Sequence, residues 1–275
     1  MEDTLIALFC LVDDYCQCFM PEWEKHLLTC GLKKRNKPCR LEVSEIITLF
    51  VHFHQMRFRD FKSYYNFYVK NSLISYFPRL VSYNRFIELL PSISVPLCLF
   101  LQTLMGEKSG IYFVDSTILK VCHIKREKQH KVFKGLAQKS KSTIGWFFGF
   151  KLHLVINDKG ELMAFKITAA KTDDRKVVPD LVKGLIGKLF GDKGYISQEL
   201  FETLFEQGLQ LFTRIKKNMK NKMMFLIDKL LLRKRAIIET VNNQLKNISQ
   251  IEHTRHRSIF NFMVNILAAL TAYAL

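Results

Sequence analysis

Two short apolar runs in this chain each close on an aspartate. Ile111-Tyr112-Phe113-Val114 ends at Asp115, and Leu189-Phe190-Gly191 ends at Asp192. Runs of this length and composition predict short buried strands. A carboxylate closing such a strand is costly unless something compensates its charge. A third acid, Glu239, lies in a helical stretch just after Arg233, Lys234 and Arg235. Carboxylates brought together repel one another, and a hard divalent cation relieves that repulsion. The chain therefore has to be an α/β arrangement that carries two strand ends and a helix face to one place.

The order of elements around these acids narrows the fold further. After Ile111 to Asp115, the run Phe150 to Ile156, a turn at Asn157-Asp158-Lys159-Gly160 and the run Leu162 to Ala169 read as a hairpin. Lys176 to Leu185 is amphipathic, and Lys188 to Gly191 is a strand. Ser197 caps a helix to Gln207 that Gly208 stops, and Leu209 to Ile215 is a further strand. A helix from about Leu230 to Ile248 carries Glu239. The expectation is a mixed sheet flanked by helices, with acids at the ends of its first and fourth strands, as in an RNase H-like α/β fold.

The preceding part, residues 1–108, reads as helical, and residues 109–275 as the α/β domain closed by an apolar C-terminal helix. Ser44 is expected to cap a helix from Glu45 to Met56, and Asp60 one from Phe61 to Val69. Tyr64, Tyr65, Phe67 and Tyr68 are expected in the core. Ser82-Tyr83-Asn84-Arg85-Phe86 opens a short helix that ends before Pro91. Such a run of helices is compatible with a helix-turn-helix reader of a DNA end, with Arg85 as its base-contacting candidate.

Charge selects the partner. The chain has 42 Lys+Arg against 25 Asp+Glu, a net charge of +17. Up to Gly110 there are 13 basic and 11 acidic residues, and from Ile111 onward 29 and 14, so nearly all of the excess lies in the half that holds the carboxylates. Lys120 to Lys151 contains nine basic residues and one acid, Glu127, and Arg214 to Arg235 contains nine and one, Asp228. Two such runs bracketing one acidic centre point to a phosphate-tracking channel rather than solvated loops, with Lys134, Lys139 and Lys141 as candidate contacts.

Within the Glu239 helix, Arg235, Glu239, Asn242 and Lys246 share one face, while Ile237, Val241, Leu245 and Ile248 are expected to form the buried stripe opposite. The acid is thus presented between bases. His153, among Leu152, Leu154 and Val155, reads as a packed residue, and Asp173 and Asp174 as caps of the following helix.

Val114-Asp115-Ser116-Thr117, Gly191-Asp192-Lys193-Gly194-Tyr195 and Arg235-Ala236-Ile237-Ile238-Glu239-Thr240 resemble the three acidic motifs of bacterial DDE transposases of the RNase H-like type, specifically the insertion-sequence 982 family. The likeness extends to Ser82 to Phe86, Gly149 to His153 and His253 to Ser258. Insertion-sequence-4-like enzymes carry Tyr-x2-Arg-x3-Glu-x6-Lys around the glutamate. This chain matches at Arg235, Glu239 and Lys246 and has Leu232 at the tyrosine position. The resemblance implies a DNA transposase that hydrolyses a strand at its element's ends and joins the freed 3′-OH to target DNA. It implies two Mg²⁺ ions, with Mn²⁺ able to substitute, held by Asp115, Asp192 and Glu239, with Arg235 and Lys246 on the DNA. It also implies a homodimer or higher form on DNA. An RNase H-fold nuclease without strand transfer, and a DNA-binding protein with decayed catalysis, are the alternatives.

Seven cysteines, an odd number, are expected as reduced thiols behaving as small hydrophobes, and Cys16-x-Cys18 lacks the spacing of a zinc site. Met1-Glu2-Asp3 and Asp13-Asp14 speak against a secretory signal. A cytoplasmic, nucleoid-associated bacterial protein with no membrane partner is the expectation.

Overall fold

The computed structural model describes residues 2–35, 39–142, 145–215, 223–252 and 256–275. By packing, the chain divides into two units, Met1–Leu104 with Leu245–Leu275, and Met105–Gln244. His253, Thr254 and Arg255 of the C-terminal motif, and Lys216, Lys217, Lys220 and Lys222 of the second basic run, lie outside the described residues.

The first unit is helical. α1 (Glu2–Thr29) buries Leu5, Leu8, Val12 and Cys16, one stripe at helical spacing. α2 (Val43–Gln55) is buried almost all round. Its N-cap is Glu42 rather than Ser44: the Glu42 N–H donates to the Glu45 carboxylate at 2.7 Å, while Ser44 is already inside the helix and buried. Asp60 accepts from the Ser63 N–H as cap of α3 (Phe61–Ser63), which continues as a π-helical stretch (Tyr64–Val69) into α4 (Lys70–Ser72). The extra residue per turn carries both Tyr64 and Tyr65 into the core and leaves Phe67 exposed. Ser82 caps α5 (Tyr83–Leu89), a 3₁₀ turn (Leu90–Ile93) takes up Pro91, and α6 (Ser94–Thr103) follows. The C-terminal helix (Ile259–Ala274), capped by Ser258, packs against α2 and α6.

By length and composition Asp3–Thr29 and Tyr83–Thr103 are apolar enough to cross a membrane. A core helix has the same composition, and here Phe86, Ile93, Leu97 and Phe100 are covered by protein. All seven cysteines are free thiols. Only Cys16 is buried, so the small-hydrophobe expectation fails for Cys10, Cys18, Cys30 and Cys39, which are exposed.

The second unit is a mixed sheet with helices on both faces. β1 (Ile111–Cys122) pairs antiparallel with β3 (Gly145–Asn157) and parallel with β5 (Gly187–Gly191), which pairs parallel with β6 (Leu209–Thr213). The far edge of β3 is shared: β2 (Gln138–Ser142) covers its first part and β4 (Leu162–Ala169) the rest. β2 was not anticipated. Its Lys and Ser residues carry no apolar alternation, and pairing with β3 supplies what the sequence pattern lacks. The acids therefore belong to the first and fifth strands, not the first and fourth.

One sheet face packs Tyr112, Val114, Leu189 and Leu211 against α7 (Asp174–Leu181) and α8 (Gln198–Glu206). Gly208, at φ +81°, stops α8 in a left-handed conformation that other residues rarely adopt. The other face stacks Phe113, Phe190 and Phe212 across three strands. α9 (Leu226–Lys234) packs on β5 and β6, and a turn at Arg235 separates it from α10 (Ala236–Asn247). The single helix expected from 230 to 248 is thus two. In α10 the buried apolar residues are Ile238, Val241 and Leu245, and Ile237 is only half-buried.

Candidate active site

Asp115 does not end its strand. It sits within β1, two residues past Phe113, where the ladder to β5 stops. Beyond that point β1 is paired only with β3, through Leu154 opposite Asp115. The parting of β1 and β5 opens the sheet at the carboxyl end of β5, where Asp192 begins a 3₁₀ turn (Lys193–Tyr195). Strand alternation puts Asp115 on the Phe113 face, the side of α9 and α10.

Four side chains, from Asp192, Arg235, Glu239 and Asn242, lie around Asp115 there. Asn242 on α10 donates its Nδ2 to Asp115 Oδ2 at 3.0 Å, and Arg235 donates to the Glu239 carboxylate one turn along. Burial pushes the Asp115 carboxyl up to about 6, and the negative charges of Asp192 and Glu239 add to that rise; the Ser116 N–H and the Arg235 guanidinium pull the other way. Asp192 accepts from the Gly194 N–H at 2.7 Å. A Cβ at Gly194 would lie 2.9 Å from Asp192 Oδ1, so glycine there leaves room for the carboxylate. Glu239 is 54 % exposed, whereas Arg235 is buried with its Nε unpartnered, and Asn242 Oδ1 is likewise buried without a partner.

Other candidates fall elsewhere. Lys246, half-buried on the last turn of α10, pairs with Glu252 at 3.6 Å. Lys134, Lys139 and Lys141 are exposed around β2; Lys139 faces Glu127 at 3.8 Å. Arg85 is exposed on α5 and pairs with Glu88. His153 is buried on the opposite face of the sheet from Asp115, bonded to Thr168. Asp173 caps α7 by accepting from the Arg175 N–H, but Asp174 does not cap it. Asp174 binds Ser116 Oγ at 2.9 Å and Lys151 Nζ at 2.7 Å, fastening α7 to β1 and β3.

Sequence reasoning missed Asn242 as Asp115's partner. Its position three residues after Glu239 was visible, but a contact to a residue more than a hundred positions away was not.

The donor set suits a hard cation: carboxylate oxygens, mutually repelling, beside an amide oxygen with no partner. Among the described residues, no three His, Cys, Asp or Glu side chains are close enough to hold an ion as they stand. Glu239 is instead engaged in the ion pair with Arg235.

α9 bears on this geometry because it delivers α10. Its anchor is the ion pair from Lys188 Nζ on β5 to Asp228, which is 2 % exposed, at 2.6 Å. Lys188→Met strands a buried carboxylate and is expected to cost about 2–3 kcal/mol, read as a lower urea midpoint. Adding Asp228→Asn should recover most of the loss. An unchanged midpoint for Lys188→Met would rule out the anchor.

A helix-flanked mixed sheet that gathers hard oxygen donors within a strongly basic half has the equipment of an α/β domain acting on phosphate esters. A family model of the transposase DDE domain matches residues 105–259, more than half of the 275 residues, and the chain belongs to that family. Membership implies a nuclease or transposase with DNA as its partner. No curated protein matches the chain.

Proposed function

We propose that this chain is a DNA transposase of the insertion-sequence 982 family. In this reading an RNase H-like catalytic domain over 109–275 and an N-terminal DNA-end-binding region over 1–108 act together in the bacterial cytoplasm, on the nucleoid. The protein cleaves a strand at the ends of its element and transfers the 3′-OH to target DNA. The observation that carries the reading is the meeting at one place of Asp115 from a strand, Asp192 from a strand end and Glu239 from a helix, close enough that the charges of the latter two act on the Asp115 carboxyl.

Asp115, Asp192 and Glu239 would hold the divalent ions, Mg²⁺ with Mn²⁺ able to substitute, which when bound would supply Lewis acidity to the attacking and leaving oxygens. Asn242 keeps the Asp115 carboxylate turned toward the set. Arg235, once Glu239 leaves it, is free to hold a phosphate oxygen through its planar fork. Lys246 supports the same strand of DNA. Lys134, Lys139 and Lys141 neutralise phosphates further along, and Arg85 contacts the terminal sequence from α5.

The deciding experiment incubates the protein with DNA carrying its element's ends and Mg²⁺, then maps the products. Joined strands are expected, formed in a complex whose mass contains two or more protomers. Nicked DNA alone would instead support a nuclease, and binding without any cut a decayed enzyme.

Affinity for duplex DNA is expected to fall with salt at a log–log slope of about −0.9 per phosphate neutralised. Lys134→Ala, Lys139→Ala and Lys141→Ala should weaken binding to all sequences alike, and Arg85→Ala should weaken binding to terminal ends selectively. A salt-independent affinity would contradict the channel.

A further inference from the structure

We propose that the β2–β3 hairpin is a single-strand contact and that Trp146 is its nucleobase-stacking residue, gripping an unpaired base of the DNA. The inference rests on the reading of the protein as a DNA transposase and adds to it a residue and the kind of DNA it takes.

Trp146 is 57 % exposed near the start of β3, although a tryptophan is on average a well-covered residue. The other tryptophan, Trp23, is by contrast stacked with Phe19 and His26. Lys141 lies directly opposite Trp146 in the ladder, and Lys139 Nζ sits 5.1 Å from the centre of its ring. An open aromatic face between cations is what a flexible strand needs, since the cations take its phosphates and the ring takes its bases.

The hairpin's place in the sheet fits the chemistry. Leu154 of β3 faces Asp115, and alternation along β3 puts Trp146 on that same face. At ~3.3 Å per residue the two positions are roughly 26 Å apart along the strand. That is less than one DNA turn, about 34 Å. A strand whose scissile phosphate lies at Asp115 therefore reaches the hairpin within its first few nucleotides.

A second copy of the chain is the other candidate cover for an exposed indole. A twofold contact places the same patch against itself, and here that would oppose Lys139 and Lys141 to their own copies. Charge thus favours the polyanion.

In a Trp23→Phe background Trp146 is the sole tryptophan. Titration with a single-stranded oligonucleotide should quench its emission in step with the rise in anisotropy of the labelled DNA. Trp146→Ala should weaken single-strand binding about 5- to 100-fold, with Trp146→Phe within a few-fold of the parent and melting unchanged in both. Binding to blunt duplex should change less than twofold. Binding without quenching, or equal single-strand affinity in Trp146→Ala, overturns the assignment and leaves the DNA reading intact. A failure of the parent to bind any DNA overturns both. Emission that depends on protein concentration and not on DNA overturns the assignment in favour of self-association.

Discussion

Asp115→Asn, Asp192→Asn and Glu239→Gln are each expected to lower cleavage of terminal DNA by at least about 10³-fold, because residues that act as one metal-binding unit fail together. Combining two of the changes should add little. DNA binding should survive, and without divalent metal it should strengthen, since each change removes a negative charge from a site that meets phosphate. The three substitutions differ in side effect. Asn at position 115 removes the cost of burying a charge there, and with it the repulsion from Asp192 and Glu239, and can still accept from Asn242. Gln at position 239 weakens the grip on Arg235 and leaves a buried guanidinium less well compensated. The parent's cleavage should need Mg²⁺ or Mn²⁺ and stop with chelator. A neutralised variant that cut at close to the parent rate would remove its residue from the set.

Mild acid is expected to unfold the helical unit. His52 and His54 are buried on α2, and burial lowers each to about 4 from the usual 6.5. His52 Nδ1 pairs with the Tyr64 hydroxyl at 2.7 Å, and His54 Nδ1 donates to the Ser249 carbonyl at 2.7 Å, a hydrogen bond that opposes the shift; the nearby His256 adds to it. Because the folded values lie below the unfolded ones, the unfolded chain binds more protons between them. The contribution is therefore complete above pH 6.5 and drains away as pH falls toward 4. At most it is about 3 kcal/mol for each histidine. Urea midpoints between pH 7.5 and 4.5 should fall steeply, and less steeply in His52→Gln. A midpoint flat across that range would mean the two rings are not held neutral by burial.

Much of the layout can be read from local pattern. The hairpin from Phe150 to Ala169, the strand before Asp192, the Ser197 cap and the Gly208 stop all lie where the sequence puts them, because period, cap and turn chemistry act within a few residues. Where the pattern misled, a local signal was weaker than a distant partner. Ser44 is a good cap residue, yet burying α2 further toward its start left Glu42 and Glu45 to close it. Asp115 follows an apolar run as if the strand stopped, but pairing with β3 carries β1 on to Cys122.

The sequence by itself determined the three acids and the basic surroundings in which they sit, because charge and residue type need no fold to be counted. It also carried the resemblance to DDE transposases, through motifs whose order survives whatever the exact strand lengths, and the family match over residues 105–259 agrees with it at that level. Only the tertiary structure decided that Asn242 is the partner of Asp115 and that Trp146 is left open on the Asp115 face. It also decided that the last helix packs with α2 and α6. Those are pairings between residues far apart in the chain, and they are set by which buried surfaces fit and which polar groups can be satisfied together, quantities that no short window of sequence contains.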